Sequence, residues 1–264
     1  MNPDLPKNDL RKFCAVAMMA KAPRIGDAKT RLAPPLSETE AAGLSSCFIR
    51  DTADNIIAAA QSAPIHGHVA YSPSGSETVF RALLPEPIRL LPSRRVGLGY
   101  SLADAVEDLL AAGYGSVCLV NSDSPTLPTS VLVEAAQTLL ASGDRVVLGP
   151  AEDGGYYCIG LKSPHARLFE DIAWSSEQVL AQTLERAHEI GLDTAVLPMW
   201  YDVDDLASLR RLTEELLGSP IQENRRTRFE APHTAGFLLH LLGNGGDRRI
   251  GIGSAITEIA GQRL

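Results

Sequence analysis

Two acidic stretches in this sequence have residue types suited to metal or phosphate chemistry. Asp123 follows the apolar run 117–120 and is expected at the carboxyl end of a buried strand. A carboxylate there can hold a divalent cation against a phosphate, because hard cations prefer carboxylate oxygens. The stretch 202–205 crowds three carboxylates, whose mutual repulsion a cation would relieve. The alternatives are an Asx turn at Asp123 and a helix cap at Asp204 or Asp205.

Four cations follow the first apolar run within one loop rich in proline and glycine. They are Lys21, Arg24, Lys29 and Arg31. Such clustering suits a polyanion such as a triphosphate, since Arg offers a planar bidentate fork and Lys a point charge. The loop lacks the Gly-Lys-Ser/Thr ending of a Walker A motif. A solvated basic loop without a ligand is the alternative interpretation.

Two further loops combine glycine with charge. In the stretch 94–99, Gly97 and Gly99 follow two arginines and would let the backbone approach a flat or charged ligand, although a plain turn also explains them. In the stretch 150–157, Glu152 and Asp153 precede two glycines. This pattern predicts either a carboxylate facing a ligand or a β-hairpin turn.

Strand-like and helix-like segments alternate along the chain and must position these loops. This alternation predicts βαβ units and an α/β fold with a mostly parallel sheet, whose carboxyl edge collects ligands. The motifs Ser37-x-x-Glu40 and Ser175-x-x-Gln178 predict capping boxes at two helix starts. Strands are predicted at 13–20, 65–71, 88–91, 117–120, 145–149, 156–161 and 194–197, and helices at 37–61, 76–84, 101–112, 129–141, 175–190 and 206–217.

The composition is that of a globular protein with a core. The chain has 264 residues, 45% of them hydrophobic, and a formal net charge of −8. This charge argues against a general nucleic-acid surface. No segment is long enough to cross a membrane, so no membrane partner is expected and the predicted location is cytoplasmic. The four cysteines are widely spaced and show no zinc or disulfide pattern.

Three regions are distinguished along the chain. Residues 1–12 are interpreted as a disordered leader, 13–218 as the main domain and 219–264 as a C-terminal appendage on it. Basic residues precede the apolar run 13–20, as they do in a secretory signal. That run is short and ends at Lys21, so it is interpreted as the first strand.

Several long motifs resemble those of the DUF2064 family. These are glycosyltransferase-A-like proteins of the nucleotide-diphospho-sugar transferase superfamily, some labelled radical-SAM/selenodomain-associated transferase 1. The similarity extends over about residues 13–215. The motifs are Lys-Ala-Pro at 21–23, Lys-Thr-Arg-Leu-Ala-Pro at 29–34, Ser-Asp-Ser-Pro-Thr-Leu-Pro at 122–128, Gly-Pro-Ala-Glu-Asp-Gly-Gly-Tyr-Tyr at 149–157 and Trp-Tyr-Asp-Val-Asp at 200–204.

The resemblance implies a Rossmann-like sheet flanked by helices, in which the loop after the first strand binds nucleotide phosphates. It implies that Lys29 and Arg31 act on the phosphates and that Asp153 lies on the acceptor side. It further implies that Asp123 and Asp204 hold Mg²⁺ or Mn²⁺. The residues expected to assist in binding the nucleotide are Lys21, Ala22, Pro23, Arg24, Gly97, Gly99 and Ser122.

One loop differs from the family pattern. Where relatives tend to read Gly-Asp-Leu-Gly-Glu/Gln-Arg, this chain has Tyr100 and Ser101 at the last two places. In relatives the loop lies near the nucleobase or the sugar. The identity of the substrate therefore stays open.

The combined pattern predicts an enzyme, a metal-dependent nucleotidyltransferase that uses a nucleoside triphosphate or nucleotide-sugar donor and a small-molecule acceptor. One alternative is a glycosyltransferase that uses a nucleotide-diphospho-sugar, with Asp153 as base. Another is a nucleotide-binding regulatory protein without turnover. The nucleobase, the acceptor and the oligomeric state are not predicted.

Overall fold

Seven β-strands form one sheet at the centre of the computed structural model, which describes residues 9–218 and 227–252. The order across the sheet is β3-β2-β1-β4-β6-β5-β7. The strands are β1 (Cys14–Lys21), β2 (Ile65–Ser72), β3 (Arg89–Pro92), β4 (Ser116–Asn121), β5 (Arg145–Pro150), β6 (Tyr156–Leu161) and β7 (Asp193–Val196).

The sheet is mostly parallel, as predicted. The exception is β6, which lies antiparallel between β4 and β5. Strand β1 pairs with both β2 and β4, so the carboxyl ends of these three strands meet at one edge of the sheet. The helices are α1 (Glu38–Ala59), α2 (Glu77–Leu83), α3 (Leu98–Ala111), α4 (Thr129–Leu140), α5 (Val179–Glu189), α6 (Leu206–Leu217), α7 (Pro232–Leu241) and α8 (Asp247–Ile250).

The central strands are apolar on both faces because helices cover both faces. Alternate residues of β1 enter different cores: Val16 and Met18 pack in the cluster that includes α1 and α4. Ala15 and Ala17 pack in the cluster that includes α3 and part of α5. This two-sided burial is why the strands read in the sequence as short continuous apolar runs.

A third hydrophobic cluster joins the later helices to the region around α1. It contains Leu32, Phe48, Val203, Leu209 and Leu238, all fully buried. Residues of α6 and α7 therefore share one hydrophobic core with the loop that follows β1. Of the C-terminal appendage predicted at 219–264, residues 219–226 and 253–264 lie outside the described residues.

The expected disorder of residues 1–12 is wrong for its last part. Leu10–Lys12 form a 3-10 helix, which the Asp9 side chain caps by accepting from the Arg11 amide. The amide of Gly115 donates to the Leu10 carbonyl, so this turn is tied to the start of β4. Residues 1–8 lie outside the described residues.

One of the two predicted capping boxes is confirmed. Ser37 and Glu40 exchange the expected hydrogen bonds at the start of α1. The box at Ser175 is wrong, since Ser175 has a positive φ of 64° and α5 begins only at Val179. The physical reason is a tertiary contact: the backbone of Glu177 packs against Gly154 in the turn between β5 and β6.

Within the described residues, no helix combines the length and the apolar character that crossing a bilayer requires.

A buried carboxylate fastens α7 to α1 and yields a stability prediction. Asp51 is fully buried and accepts from the amides of His233 at 3.0 Å and Thr234 at 2.8 Å. Asp51→Ala leaves these amides without their acceptor, so we expect a loss of about 1–3 kcal/mol in the free energy of unfolding, measured by urea denaturation.

Asp54→Ala is the matched control. Its carboxylate is 38% exposed and pairs with the His233 ring, so its loss is expected to stay below about 1 kcal/mol. Equal losses in the two variants would contradict the capping role of Asp51.

Candidate functional site

A cleft of about 880 Å³ opens at the edge where β1, β2 and β4 end. Its walls come from the basic loop after β1, from the turn after β2, and from residues 93–98 before and at the start of α3. Among its lining residues are Lys21, Ala22, Arg24, Asp27, Lys29, Arg31, Ser72, Arg94, Gly97, Ser122, Asp123 and Asp204.

A single ammonium group joins the two acids that the resemblance assigned to a metal. Lys29 Nζ lies 2.8 Å from Asp123 Oδ1 and 2.8 Å from Asp204 Oδ1. It also donates to the backbone carbonyl of Val203 at 2.8 Å. The Lys29 side chain is only 7% exposed, whereas the two carboxylates are 35% and 42% exposed. The two acids therefore share one site, and Lys29 lies beneath it.

Local backbone structure aims Lys29 at this point. Lys29 is left-handed, with φ 49° and ψ 43°, immediately before the 3-10 helix Thr30–Leu32. That conformation costs about 1–3 kcal/mol for a residue other than glycine, so the surroundings must hold it. Leu32 is fully buried, and the Phe48 ring centroid lies 5.5 Å from Lys29 Nζ. The third hydrophobic cluster thus fixes the backbone just after Lys29 through Leu32 and lies next to the lysine ammonium through Phe48.

Backbone hydrogen bonds bring the segment 200–204 against the end of β4. The Val203 amide donates to the Asp123 carbonyl at 2.9 Å, and the Ser124 hydroxyl donates to the Tyr201 carbonyl at 2.9 Å. Asp205 caps α6 by accepting from the Ser208 amide at 2.8 Å. Of the two acids that could have capped this helix, Asp205 does so, and the Asp204 carboxylate turns to Lys29.

Burial and negative charge oppose each other at this site. Burial lowers the pKa of Lys29, but the ion pairs with Asp123 and Asp204 outweigh it and raise that pKa above its usual value. Asp202 shows the reverse balance: burial, then the charges of Asp204, Asp153 and Asp123, raise the pKa of its carboxyl to about 6. Three carboxylates thus act on that of Asp202, beside the buried ammonium of Lys29.

Asp202 is a residue that sequence reasoning did not single out as part of the site. The sequence feature that could have identified it is its position in the stretch 202–205, where three carboxylates lie close together.

Three cations of the cleft remain available to an anion. Lys21 donates to the Asp27 carbonyl at 3.5 Å and Arg24 to the Ser76 hydroxyl at 3.2 Å. Neither they nor Arg31 has a carboxylate of the described residues within the 4.0 Å of an ion pair. Arg31 acts at longer range on Asp205, because its charge helps to lower the pKa of that carboxyl. None of the three is held in a direct ion pair as Lys29 is.

The arginines on the opposite wall are paired. Arg94 and Arg95 both contact the buried carboxylate of Asp104, Arg94 at 3.2 Å. The Arg95 guanidinium also lies 4.8 Å from the Tyr100 ring centroid. This wall is held in shape by the start of α3.

The cleft takes in most of the residues assigned to nucleotide binding, but Pro23 and Gly99 lie outside its lining. Asp153, which was assigned to the acceptor side, lies outside it as well. Gly99 needs a correction, because it is buried under the Trp174 ring and an added Cβ would come within 2.4 Å of the indole nitrogen. Its role is helix packing.

Asp153 lies in the turn of a β-hairpin. Its Oδ1 accepts from the Gly155 amide at 2.8 Å, and strands β5 and β6 pair on either side. This is the turn that the Asp-Gly pattern offered as an alternative. The neighbouring Gly154 comes close to the backbone of Glu177, so its close approach is to the chain itself.

The donor set at Asp123 and Asp204 fits a hard divalent cation. Both carboxylates reach the cleft, and carboxylate oxygens are the ligands that Mg²⁺ and Mn²⁺ prefer. The ammonium of Lys29 already contacts one oxygen of each acid.

A different group of side chains has its ligand atoms within 4.8 Å of one another: Asp51, Asp54 and His233. None of the three lines the cleft. Because Asp51 uses both oxygens to hold the start of α7, this group is interpreted as a helix cap.

The fold and the cleft define a structural class, the nucleotide-diphospho-sugar transferase fold. A protein from Desulfovibrio desulfuricans G20, provisionally described as a nucleotide-diphospho-sugar transferase, matches with a TM-score of 0.73 at 26% sequence identity. The match covers 90% of this chain and 96% of that one. The predicted fold class is confirmed.

The resemblance to DUF2064 is confirmed as well. The model of that family, described as an uncharacterized protein conserved in bacteria, matches residues 55–176. The matched segment contains Asp123 and Asp153, and it leaves Lys29 and Asp204 outside.

More distant structures share less of the fold. Rv0371c from Mycobacterium tuberculosis H37Rv has 14% identity and a TM-score of 0.46, over 76% of this chain and 97% of its own. The inositol-1-phosphate CTP transferase from T. maritima has 14% identity and a TM-score of 0.46, over 76% of this chain and 93% of its own. A comparison with curated proteins found no match.

The raised pKa of Asp202 predicts a pH-dependent effect on stability. Folding raises the pKa of this carboxyl from its usual value of 3.8 to about 6. Ionisation of the carboxyl above pH 6 therefore destabilises the folded state. Asp202→Asn should therefore raise the free energy of unfolding at pH 7 by about 1 kcal/mol, after allowance for solvent screening. The gain should shrink as the pH falls from 7 toward 4, because the folded carboxyl is then protonated and the unfolded one becomes increasingly so.

Urea denaturation from pH 4 to pH 8 in buffer with EDTA measures this dependence. Asp193→Asn, at the amino end of β7, is the control and should show no such trend. A gain for Asp202→Asn that is constant across this range would show that charge repulsion is not its source.

Proposed function

We propose that this chain is a metal-dependent nucleotidyltransferase that takes a nucleoside triphosphate or nucleotide-sugar donor. The observation that carries the proposal is the division of charge in one cleft. Lys21, Arg24 and Arg31 form no ion pair with a carboxylate of the described residues, while two carboxylates converge beside them. A cluster of such cations next to two acids suits a polyphosphate with a bound cation.

Lys21, Arg24 and Arg31 would bind the phosphate oxygens. They would also counter the negative charge that builds on these oxygens during transfer. The start of α3 adds unpaired amides on the opposite wall, since it has no side-chain cap and its first residues line the cleft. A divalent ion on Asp123 and Asp204 would supply further neutralisation at these oxygens.

The transfer itself needs little from the protein beyond charge and position. An acceptor oxygen forms a bond to the α-phosphorus, the bond from this phosphorus to the bridging oxygen breaks, and pyrophosphate leaves with the electron pair. A phosphate or carboxylate acceptor is already ionised, so no strong base is required.

Glycosyl transfer is the second candidate, favoured by the similarity to the D. desulfuricans protein and its description. In that reaction an acceptor hydroxyl attacks the anomeric carbon and the nucleoside diphosphate leaves. The base would be a carboxylate such as Asp153, which is exposed and acts electrostatically on Asp202. Fold alone does not separate the two chemistries.

A ligand screen tests the proposal. Nucleoside triphosphates, diphosphates and sugar nucleotides are compared by thermal shift with and without Mg²⁺ or Mn²⁺, and hits are assayed for pyrophosphate release with acceptors. A ligand at 100 times its Kd stabilises the folded state by about 2.7 kcal/mol, which shifts the melting temperature by several degrees.

Stabilisation by a triphosphate with pyrophosphate release supports nucleotidyl transfer. Preference for a sugar nucleotide with diphosphate release supports glycosyl transfer. Binding without turnover would overturn both and favour a regulatory nucleotide-binding protein.

The assignment of the metal ligands gives a prediction for variants. Asp123→Asn and Asp204→Ala should each reduce the metal-dependent part of nucleotide affinity by about tenfold or more, because each removes a charged ligand. Isothermal titration of a triphosphate with and without Mg²⁺ measures this part. Asp193→Asn is the control, and an unchanged metal-dependent part in both site variants would contradict the assignment.

A further inference from the structure

The ammonium of Lys29 lies where a cation bridging the two acids would bind. The ammonium lies 2.8 Å from each of three oxygens: it donates to Val203 O and Asp204 Oδ1 and forms an ion pair with Asp123 Oδ1. Three oxygen neighbours match the three N–H donors of an ammonium. With 7% exposure, the side chain is a built-in part of the site and not a surface charge that happens to lie near it.

We infer that Lys29 is an internal competitor for the divalent ion, which binds tightly to Asp123 and Asp204 only after the ammonium has turned away from them. This inference rests on the proposed function, because it concerns the same two acids. A metal ion held by Asp123 and Asp204 would be close to the ammonium that contacts both of them, and like charges that close repel strongly in a partly buried site.

The cleft offers the displaced ammonium another partner. Lys29 lines the same cleft as Lys21, Arg24 and Arg31, which form no ion pair with any carboxylate in the part of the chain that the structure describes. Phosphate oxygens bound there would attract the ammonium. Lys29 would then contact a phosphate in place of the two carboxylates. The carboxylates would bind the metal in place of the lysine.

This exchange couples the two ligands. Polyphosphate favours the lysine position that frees the acids, and metal favours the lysine position that meets the polyphosphate. Each ligand should therefore strengthen the binding of the other, and coupling of this kind is typically 5–150-fold. Without ligands, the lysine keeps Asp123 and Asp204 together despite their like charge.

Mn²⁺ binding in the absence of nucleotide tests the competition directly. Free Mn²⁺ is measured by electron paramagnetic resonance in titrations of the wild-type chain and of Lys29→Met. The inference predicts that Lys29→Met binds Mn²⁺ at least about tenfold more tightly than the wild type. Adding Asp123→Asn to Lys29→Met should abolish the gain, which places the ion at the two acids.

Lys21→Met is the matched control, because it deletes the same charge from the same cleft without touching either acid. It should change Mn²⁺ affinity far less than Lys29→Met. Equal gains in the two variants, or no gain in Lys29→Met, would overturn the inference.

A second measurement needs no variant. Reductive methylation followed by mass spectrometry reports how accessible each lysine amine is in the wild-type chain. Saturating Mn²⁺ should increase the modification of Lys29 several-fold and leave that of Lys162, which lies outside the cleft, unchanged. Unchanged protection of Lys29 at saturating Mn²⁺ would overturn the inference.

Both measurements omit nucleotide. A chain that shows the competition but neither binds nucleotides nor releases pyrophosphate would retain the inference and lose the proposed function. A chain that transfers nucleotidyl groups but shows no competition would do the opposite.

Discussion

One buried ammonium determines how this site is put together. Lys29 joins three segments that are far apart in the chain: the loop after β1, the end of β4 at Asp123, and the segment before α6 at Asp204. Two carboxylates so close would repel each other without a cation between them. The third hydrophobic cluster, with Leu32 and Phe48, keeps the lysine beneath the cleft. The geometry of the acids therefore depends on the packing around the first loop.

The same contact divides the cations of the first loop into two kinds. Lys29 forms ion pairs with Asp123 and Asp204, whereas Lys21, Arg24 and Arg31 line the cleft without an ion pair to a carboxylate of the described residues. In the sequence all four residues are simply cations of one loop. The ion pairs with Asp123 and Asp204 identify Lys29 as a positioning residue and leave the other three as the residues that would bind an anion.

Much of the fold could be predicted from the sequence, because buried strands leave short apolar runs bounded by turn residues. The position of β6 between β4 and β5 could not, since strand pairing is a non-local property. The predictions at Ser175 and Gly99 failed for the same reason: a tertiary contact, that of Glu177 with Gly154 in one case and that of Trp174 with Gly99 in the other, overrode a local pattern. The convergence of Asp123 and Asp204 was expected from the resemblance, but the lysine between them was not.

The most direct test of this account is a double-mutant cycle between Lys29 and Asp204. The free energy of unfolding is measured in EDTA for the wild type, Lys29→Met, Asp204→Asn and the double variant. The account predicts a coupling energy of about 0.5–3 kcal/mol, because removing one partner makes the other less important. Effects that add to within about 0.3 kcal/mol would show that the shared ammonium does not hold the site together.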